Sequence, residues 1–408
     1  MGERWLSHIS QRVYRLHGGR VYQKQQPRRR LSRARILAAG VSLIIVTSIT
    51  ATAMAMSRTT DAARPVGKTS VRTISDVSKT TKNSSKPKNT SASTTPKTSS
   101  ATPPVTSMAI PATVGAINPP SWMKLPLYTD PYNDAATYYQ NNPSAAGATL
   151  IKRQGEAPVA TWFGEWDADV KSATNSYVTS ATQKSAVPVL VLYAIPQRDC
   201  GGYSSGGVSD TASYLNWMRN AAAGIGNRTA VVILEPDELA GLDCLSAADQ
   251  QNRYSALSQA VSILKTTTSA TVYIDAGNPA WQTSATMAAR LKQANIAQAD
   301  GFSLNVSNYV PTSQNQTYGN QLSKLLNNRH YVIDTSRNGF GGISPDGWCN
   351  APSAALGSLP TVNTGEPLND ALLWIKIPWE SDGTCNGGPS AGTSFWSFAV
   401  RMAQNAGW

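Results

Sequence analysis

The sequence predicts an α/β fold over residues 121–408, a seven-stranded (β/α) barrel one strand short of the common eight. Three observations carry this. Seven short apolar runs recur through the region, helical stretches separate most of them, and a polar, mostly acidic residue follows each run. Continuous runs rich in Val, Ile and Leu suit strands covered on both faces, as in a parallel sheet. Alternation with helical stretches is the βαβ signature.

In chain order, the run at 159–162 leads to Glu165, and the run at 187–193 leads to Asp199. A helical stretch at 210–223 precedes the third run, 230–234, which leads to Asp237. Helix 246–265 then brings the chain to run 271–274 and Asp275, and helix 283–297 to run 301–304 and Asn305. Helix 314–328 leads to run 331–333 and Asp334, and the last run, 371–375, precedes Asp382. The C-terminal ends of barrel strands hold the chemistry of such folds. Acids gathered on one edge therefore predict acid/base work there.

The segments ahead of the barrel differ in kind. Residues 1–120 hold 19 Lys and Arg against three acids, a net charge of +16, whereas residues 121–408 hold 17 against 21, a net −4. The basic excess carries no apolar periodicity and the folded part is mildly acidic, so nucleic acid is not an expected partner. Residues 1–35 read as a basic cytoplasmic segment. Residues 36–56 are 21 residues without a charge, enough to cross a bilayer core. The Arg excess ahead of them puts the N-terminus inside and the rest outside. This is expected to be a retained single-pass anchor holding the protein on the extracellular face. A cleaved secretory signal is the alternative, with Ala51-Thr-Ala53 or Ala53-Met-Ala55 as the cleavage site. Residues 57–120 contain 24 Ser/Thr and 8 Pro in 64 positions, too little apolar surface to offset the entropy of ordering, and read as a disordered stalk. All four Cys lie after residue 120, an even count that fits disulfides outside the cell.

Arg198-Asp199-Cys200 opens a glycine-rich loop, Gly201 to Gly207, that is either an Asp–Arg pair in a pinned loop or a mobile loop carrying an acid. In Glu235-Pro236-Asp237, the proline predicts an extended Glu235. Asp237 then serves either as N-cap of a short helix from Glu238 or as a general acid. Neighbouring carboxylates favour the acid reading, because like charges keep one of them protonated. Lys376 to Gly383 closes the last strand with a cation and two acids, Glu380 and Asp382: a salt-bridged turn, or hydroxyl binding plus a base. Trp162, Trp166, Trp281, Trp348 and Trp379 fall in strand-end loops, as core or as stacking platforms for sugar rings. The His residues, His8, His17 and His330, are isolated. No metal motif, phosphate loop or dinucleotide fingerprint occurs, and no Ser-His-Asp triad is expected.

Together, Tyr193, Arg198-Asp199-Cys200, Glu235-Pro236-Asp237, Asp275-Ala276-Gly277, Asn305 to Tyr309, Trp348-Cys349 and Lys376 to Gly383 resemble glycoside hydrolase family 6 over residues 124–408. These are the inverting cellulases, endoglucanases and cellobiohydrolases. The resemblance implies a distorted seven-stranded barrel that hydrolyses β-1,4-glucan with inversion; no cofactor or metal is expected, and the protein is expected to act as a monomer on cello-oligosaccharide or polymer. It implies Asp237 as general acid, with Asp199 raising its pKa. Tyr193 would lie under the distorted sugar, Ser205 in the loop that orders the attacking water, and Asp382 as proton acceptor, against a water relay through the Asp199 loop. It further implies glucan binding by Trp162, Asn278, Trp281, Asn308, Trp348, Lys376 and Glu380, and disulfides Cys200–Cys244 and Cys349–Cys385. Two positions depart from the family. Asn278 stands where His is common, and Ala194 where Asp or Asn is usual. Compact disulfide-tied loops favour an open cleft and endo cutting over a cellobiohydrolase tunnel. An anchored glucan-binding protein without catalysis is the rival from another class, opposed by the retained Asp199, Asp237 and Asp382.

Overall fold

A computed structural model describes residues 119–340 and 347–408. The expected basic segment, membrane span and stalk lie outside the described residues. No helix among the described residues is long and apolar enough to cross a membrane.

Seven parallel strands form one sheet in sequential order: β1 (Thr161–Gly164), β2 (Val189–Tyr193), β3 (Val231–Leu234), β4 (Thr271–Asp275), β5 (Gly301–Leu304), β6 (His330–Asp334) and β7 (Asn369–Leu373). Every expected strand is present, with the first shifted two residues onward and the last two residues back. The shift of the first has a structural meaning. Val159 forms an isolated parallel bridge with Trp374, and the Ala160 amide donates to the Trp374 carbonyl at 2.9 Å. The start of the first strand thus lies beside the exit of the last, and no ladder continues between β1 and β7. The sheet curls as a distorted barrel joined at one point.

Alternation along the strands divides the core into two layers. Val189, Val191 and Tyr193 face an inner cluster with Val231, Ile233, Tyr273, Val332, Leu373 and Trp122. Leu190, Leu192, Val232, Leu234 and Phe302 face outward onto the helices. The period of two therefore places the Tyr193 side chain inside the barrel, at the end where β2 stops.

The helices are α1 (Asp134–Asn141), α2 (Ala148–Gly155), α3 (Val170–Gln183), α4 (Thr211–Ile225), α5 (Ala247–Thr267), α6 (Ser284–Gln293), α7 (Thr312–Leu325) and α8 (Trp396–Asn405). Five of them start on a side-chain cap. Asn133, at the start of α1, accepts from the Ala136 amide. At the starts of α3 to α6, Asp169, Asp210, Ser246 and Thr283 accept from the amides of Ser172, Ser213, Asp249 and Thr286. Such caps contribute about 1 kcal/mol each. Helix α3 does not stand out in the apolar pattern, since it is built largely from Ser, Thr and Ala. Its buried Val170, Thr174, Tyr177, Val178 and Ala181 still mark one helical face.

His330, at the start of β6, is not isolated. Its Nδ1 lies 2.6 Å from Asp370 Oδ1, and the Tyr273 hydroxyl donates to Asp370 Oδ2 at 2.5 Å. This pair occupies a register shift between β6 and β7, at the edge away from the acids.

Two disulfides pin the loops at the strand ends: Cys200–Cys244 joins the loops after β2 and β3, and Cys349–Cys385 joins those after β6 and β7. They close loops of 44 and 36 residues. Chain-entropy arguments give about 4 kcal/mol for each. Reduction should therefore lower the unfolding free energy of the native protein by several kcal/mol in total, read as a lower denaturant midpoint. Four titratable thiols in the untreated native protein would contradict the pairing.

Candidate active site

All the strands run the same way, so the acids that follow them meet at one edge. The backbone there turns through left-handed conformations at residues other than glycine: Asp199 (φ 52°), Glu235 (49°), Asp237 (74°), Asn305 (66°) and Ser307 (61°). Each such residue costs roughly 1–3 kcal/mol and persists only where its surroundings hold it. Glu235 shows how. The expectation that Pro236 keeps it extended is overturned. Its buried carboxylate accepts from the Ala194 amide at 3.0 Å and the Ile195 amide at 3.3 Å, and this bond pair fixes the turn. Burial pushes the Glu235 carboxyl up to about 7 despite those bonds.

Asp237 leaves this turn. No helix begins at Glu238, so Asp237 caps nothing. Its amide donates to Asp275 Oδ1 at 2.9 Å, while its own Oδ1 is buried without a hydrogen-bond partner. Its pKa is raised well above the usual aspartate value, first by burial and then by the charges of Asp275, Asp199 and Asp382, with Arg337 opposing. Asp275, raised to about 6 chiefly by burial, takes bonds from the amides of Asp237 and Gly277 and from the Ser303 hydroxyl. Burial and like charge thus both favour the protonated form of Asp237.

Asp382 is supported in the opposite way. Arg337 Nη1 lies 2.8 Å from Oδ1 and 2.9 Å from Oδ2, and the Tyr309 hydroxyl (3.0 Å) and Asn350 amide (2.9 Å) also donate to Oδ2. Arg337 is fully buried and also bonds the Ser307 carbonyl. Sequence reasoning misses Arg337, although its place three residues after β6, at the acidic edge, is a usable signal. Asp334 is architectural: it accepts from the amides of Ser307, Ser336, Ile375 and Lys376.

The Asp199 loop is organised by Arg198, but not through Asp199. Arg198 makes a two-pronged pair with Glu165 at 2.6 and 3.0 Å and donates to the carbonyls of Tyr193 and Ser204. The expected Asp–Arg pair is corrected to Arg198–Glu165. Burial resists ionisation of Glu165, yet the bonds from Arg198 and the Gly207 amide hold its pKa low. Asp199 Oδ2 accepts from the Ser204 amide at 2.8 Å, and the Asp199 amide donates to Glu238 at 3.2 Å. Ser205 is exposed on the loop. Gly207 is required where it stands: at φ +90°, a Cβ would lie 1.9 Å from the Ile195 carbonyl oxygen.

Tyr193 is buried beneath Arg198, with the guanidinium 4.3 Å from its ring, and packs edge-on to Trp162 at 5.2 Å. Trp162 in turn donates to the Ile375 carbonyl and lies 5.9 Å from Lys376 Nζ, which pairs with Glu380 at 3.5 Å. These four side chains form one group. Trp281 is 43% exposed and rests near Gly241 and Gly277, on the Asp237 side. Trp348 is half exposed beside Cys349, on the Asp382 side. Asn308 is partly exposed and donates to the Val306 carbonyl. Asn278 is buried and accepts from the Ala280 amide, and Ala194 is wholly buried. Trp379 is corrected to core, packed with Ala135, Ile151 and Ala399. Among the described residues no cluster of ligating side chains could hold a metal.

The model of glycosyl hydrolases family 6 matches residues 122–406. The chain is similar to Endoglucanase A of Cellulomonas fimi, at 44% identity over 69% of this chain and 62% of that protein. It is also similar to Endoglucanase 1 of Streptomyces halstedii, at 40% identity over 70% of this chain and 89% of that protein. A solved structure of the endoglucanase Cel6 from Mycobacterium tuberculosis, in complex with a thio-cellobioside, superposes with a TM-score of 0.67 at 42% identity, covering 70% of this chain and 98% of that one. With the fold, the acids and these likenesses in agreement, the chain belongs to glycosyl hydrolases family 6.

Proposed function

We propose that the folded region is an endo-acting β-1,4-glucanase that cleaves cellulose or a related β-glucan with inversion. The observation that carries this reading is Asp237, a carboxyl with one oxygen buried and unpartnered, whose pKa is raised by burial and three neighbouring carboxylates. A glycosidic oxygen is a poor leaving group until protonated, and Asp237 is the group able to protonate it. Asp199 supports that protonation through its charge. Water held by the Asp199–Ser205 loop attacks from the opposite face, and Asp382 receives its proton. Oδ2 of Asp382 is taken by three donors, whereas Oδ1 has only Arg337, which leaves a lone pair for water. Tyr193 forms the floor under the reacting sugar. Trp162, Trp281 and Trp348 supply stacking faces, and Lys376, Glu380, Asn278 and Asn308 serve hydroxyl groups.

Endo action is supported by the compact segments between the paired cysteines, which stand 44 and 36 residues apart, and by the names of the relatives at 40 and 44% identity. The proposed place of work is the outer face of a membrane, with residues 36–56 as anchor and 57–120 as stalk, one chain acting alone.

Asp237→Asn should keep the fold and lose roughly 10²–10⁴-fold in reducing-sugar release from carboxymethylcellulose, because an amide has no acidic proton to donate. Substrates with a good leaving group should be partly rescued. Activity within a few-fold of the unaltered enzyme would remove Asp237 from its role. In the unaltered enzyme, the alkaline limb of kcat/KM should fall well above the usual aspartate range and move to lower pH in Asp275→Asn, which deletes one like charge.

The full-length protein should sediment with membranes and be released by proteolysis within residues 57–120. A mature N-terminus between Thr52 and Arg58 would instead establish a cleaved signal.

A further inference from the structure

Tyr203 lies at the tip of the Asp199 loop, one residue before Ser204, whose amide holds Asp199. Its ring is 50% exposed and meets Trp348, 51% exposed, edge-on at 5.9 Å between centroids and 62° between planes. It also lies against Gly383, the residue after Asp382. A Cβ there would come within 2.5 Å of the Tyr203 ring. Tyr203 thus spans from the loop that carries Asp199 to the loops that carry Trp348 and Asp382. Each base is pinned by a disulfide close by, at Cys200 on one side and at Cys349 and Cys385 on the other. The tips are joined by ring contact between half-exposed residues.

We propose that Tyr203 is a substrate-contacting residue that forms, with Trp348, an aromatic strap across the cleft, under which an unbranched glucan passes. The proposal rests on the glucanase reading of the same site and deepens it. An edge-to-face aromatic pair shifts an equilibrium by roughly two- to twelvefold. A strap of that strength opens readily, so a chain can enter sideways and be cut internally. Once closed, it retains the chain for further cuts. It also leaves little room for a backbone carrying side branches.

The test compares Tyr203→Ala and Tyr203→Phe with the unaltered enzyme on insoluble cellulose, measuring soluble against insoluble reducing ends. Carboxymethylcellulose and branched xyloglucan are assayed in parallel. Tyr203→Ala should lower the soluble-to-insoluble ratio at least about twofold and raise KM for cello-oligosaccharides roughly two- to twelvefold, more than it lowers kcat. It should also raise xyloglucan turnover relative to the unbranched substrate. Tyr203→Phe keeps the ring and should stay close to the unaltered ratio. Trp348→Ala breaks the same contact from the other side and should shift the ratio in the same direction, so a folding defect in one variant does not stall the test. An active enzyme whose ratio and substrate preference are unmoved in both alanine variants overturns the strap. Equal defects in Tyr203→Phe and Tyr203→Ala would do so too, by assigning the effect to the hydroxyl. Failure of the unaltered enzyme to cleave any of these glucans would overturn the glucanase reading itself.

Discussion

The pairing of Arg337 with Asp382 is the interaction on which the chemistry of this edge depends. Several carboxylates are crowded at the ends of parallel strands, and burying each one is costly unless it is compensated. Cations compensate some of them: Arg198 faces Glu165, Arg253 faces Glu238, Lys376 faces Glu380 and Arg337 faces Asp382. Backbone amides serve Glu235, Asp275 and Asp334. Asp237 has neither a cation nor, at Oδ1, any partner. Burial and three like charges favour the proton on Asp237, whereas Asp382 is held in place by Arg337. The proposed acid and acceptor differ in the charges around them, not in residue type.

The scaffold contributes by fixing where those groups stand. Parallel strands end together, and the alternation of β2 delivers Tyr193 to the interior of that end. Left-handed turns at Asp199, Glu235 and Asp237 then aim the acids back across the opening. Strain of this kind is tolerated because side chains such as Glu235 bond the adjacent strand's amides. Two disulfides tie neighbouring loops to one another, so that the Asp199 and Asp237 loops, and those around Asp382, are held as pairs.

Much of this is legible in the sequence, for definite reasons. Strands buried on both faces are continuous apolar runs, and a parallel sheet turns residues that follow each run into neighbours; Asp237, Asp199 and Asp382 are visible on that logic. The disulfide pairing is implied by the family resemblance and agrees with the structure. Features that depend on tertiary contact are not legible. Arg337 looks like any loop arginine until its burial against Asp382 is seen. Glu235 departs from the usual geometry before proline because amides 41 and 40 residues away stabilise the turn. Trp379 sits among polar neighbours in sequence yet packs under α1, α2 and α8. Helix α3 is weakly apolar and gains its order from packing against α4 and from the Asp169 cap.

Arg337, Tyr309 and Asn350 on its oxygens tie Asp382 down, which suits its proposed role as acceptor better than attack on a sugar carbon. In the proposed reading water is the nucleophile, in a single displacement. The anomeric form of the first products tests this most directly. Proton NMR of cello-oligosaccharide hydrolysis, recorded before mutarotation, should show α-anomeric new ends. Early β-anomers, or a glycosyl group trapped on an aspartate, would contradict single displacement at this site.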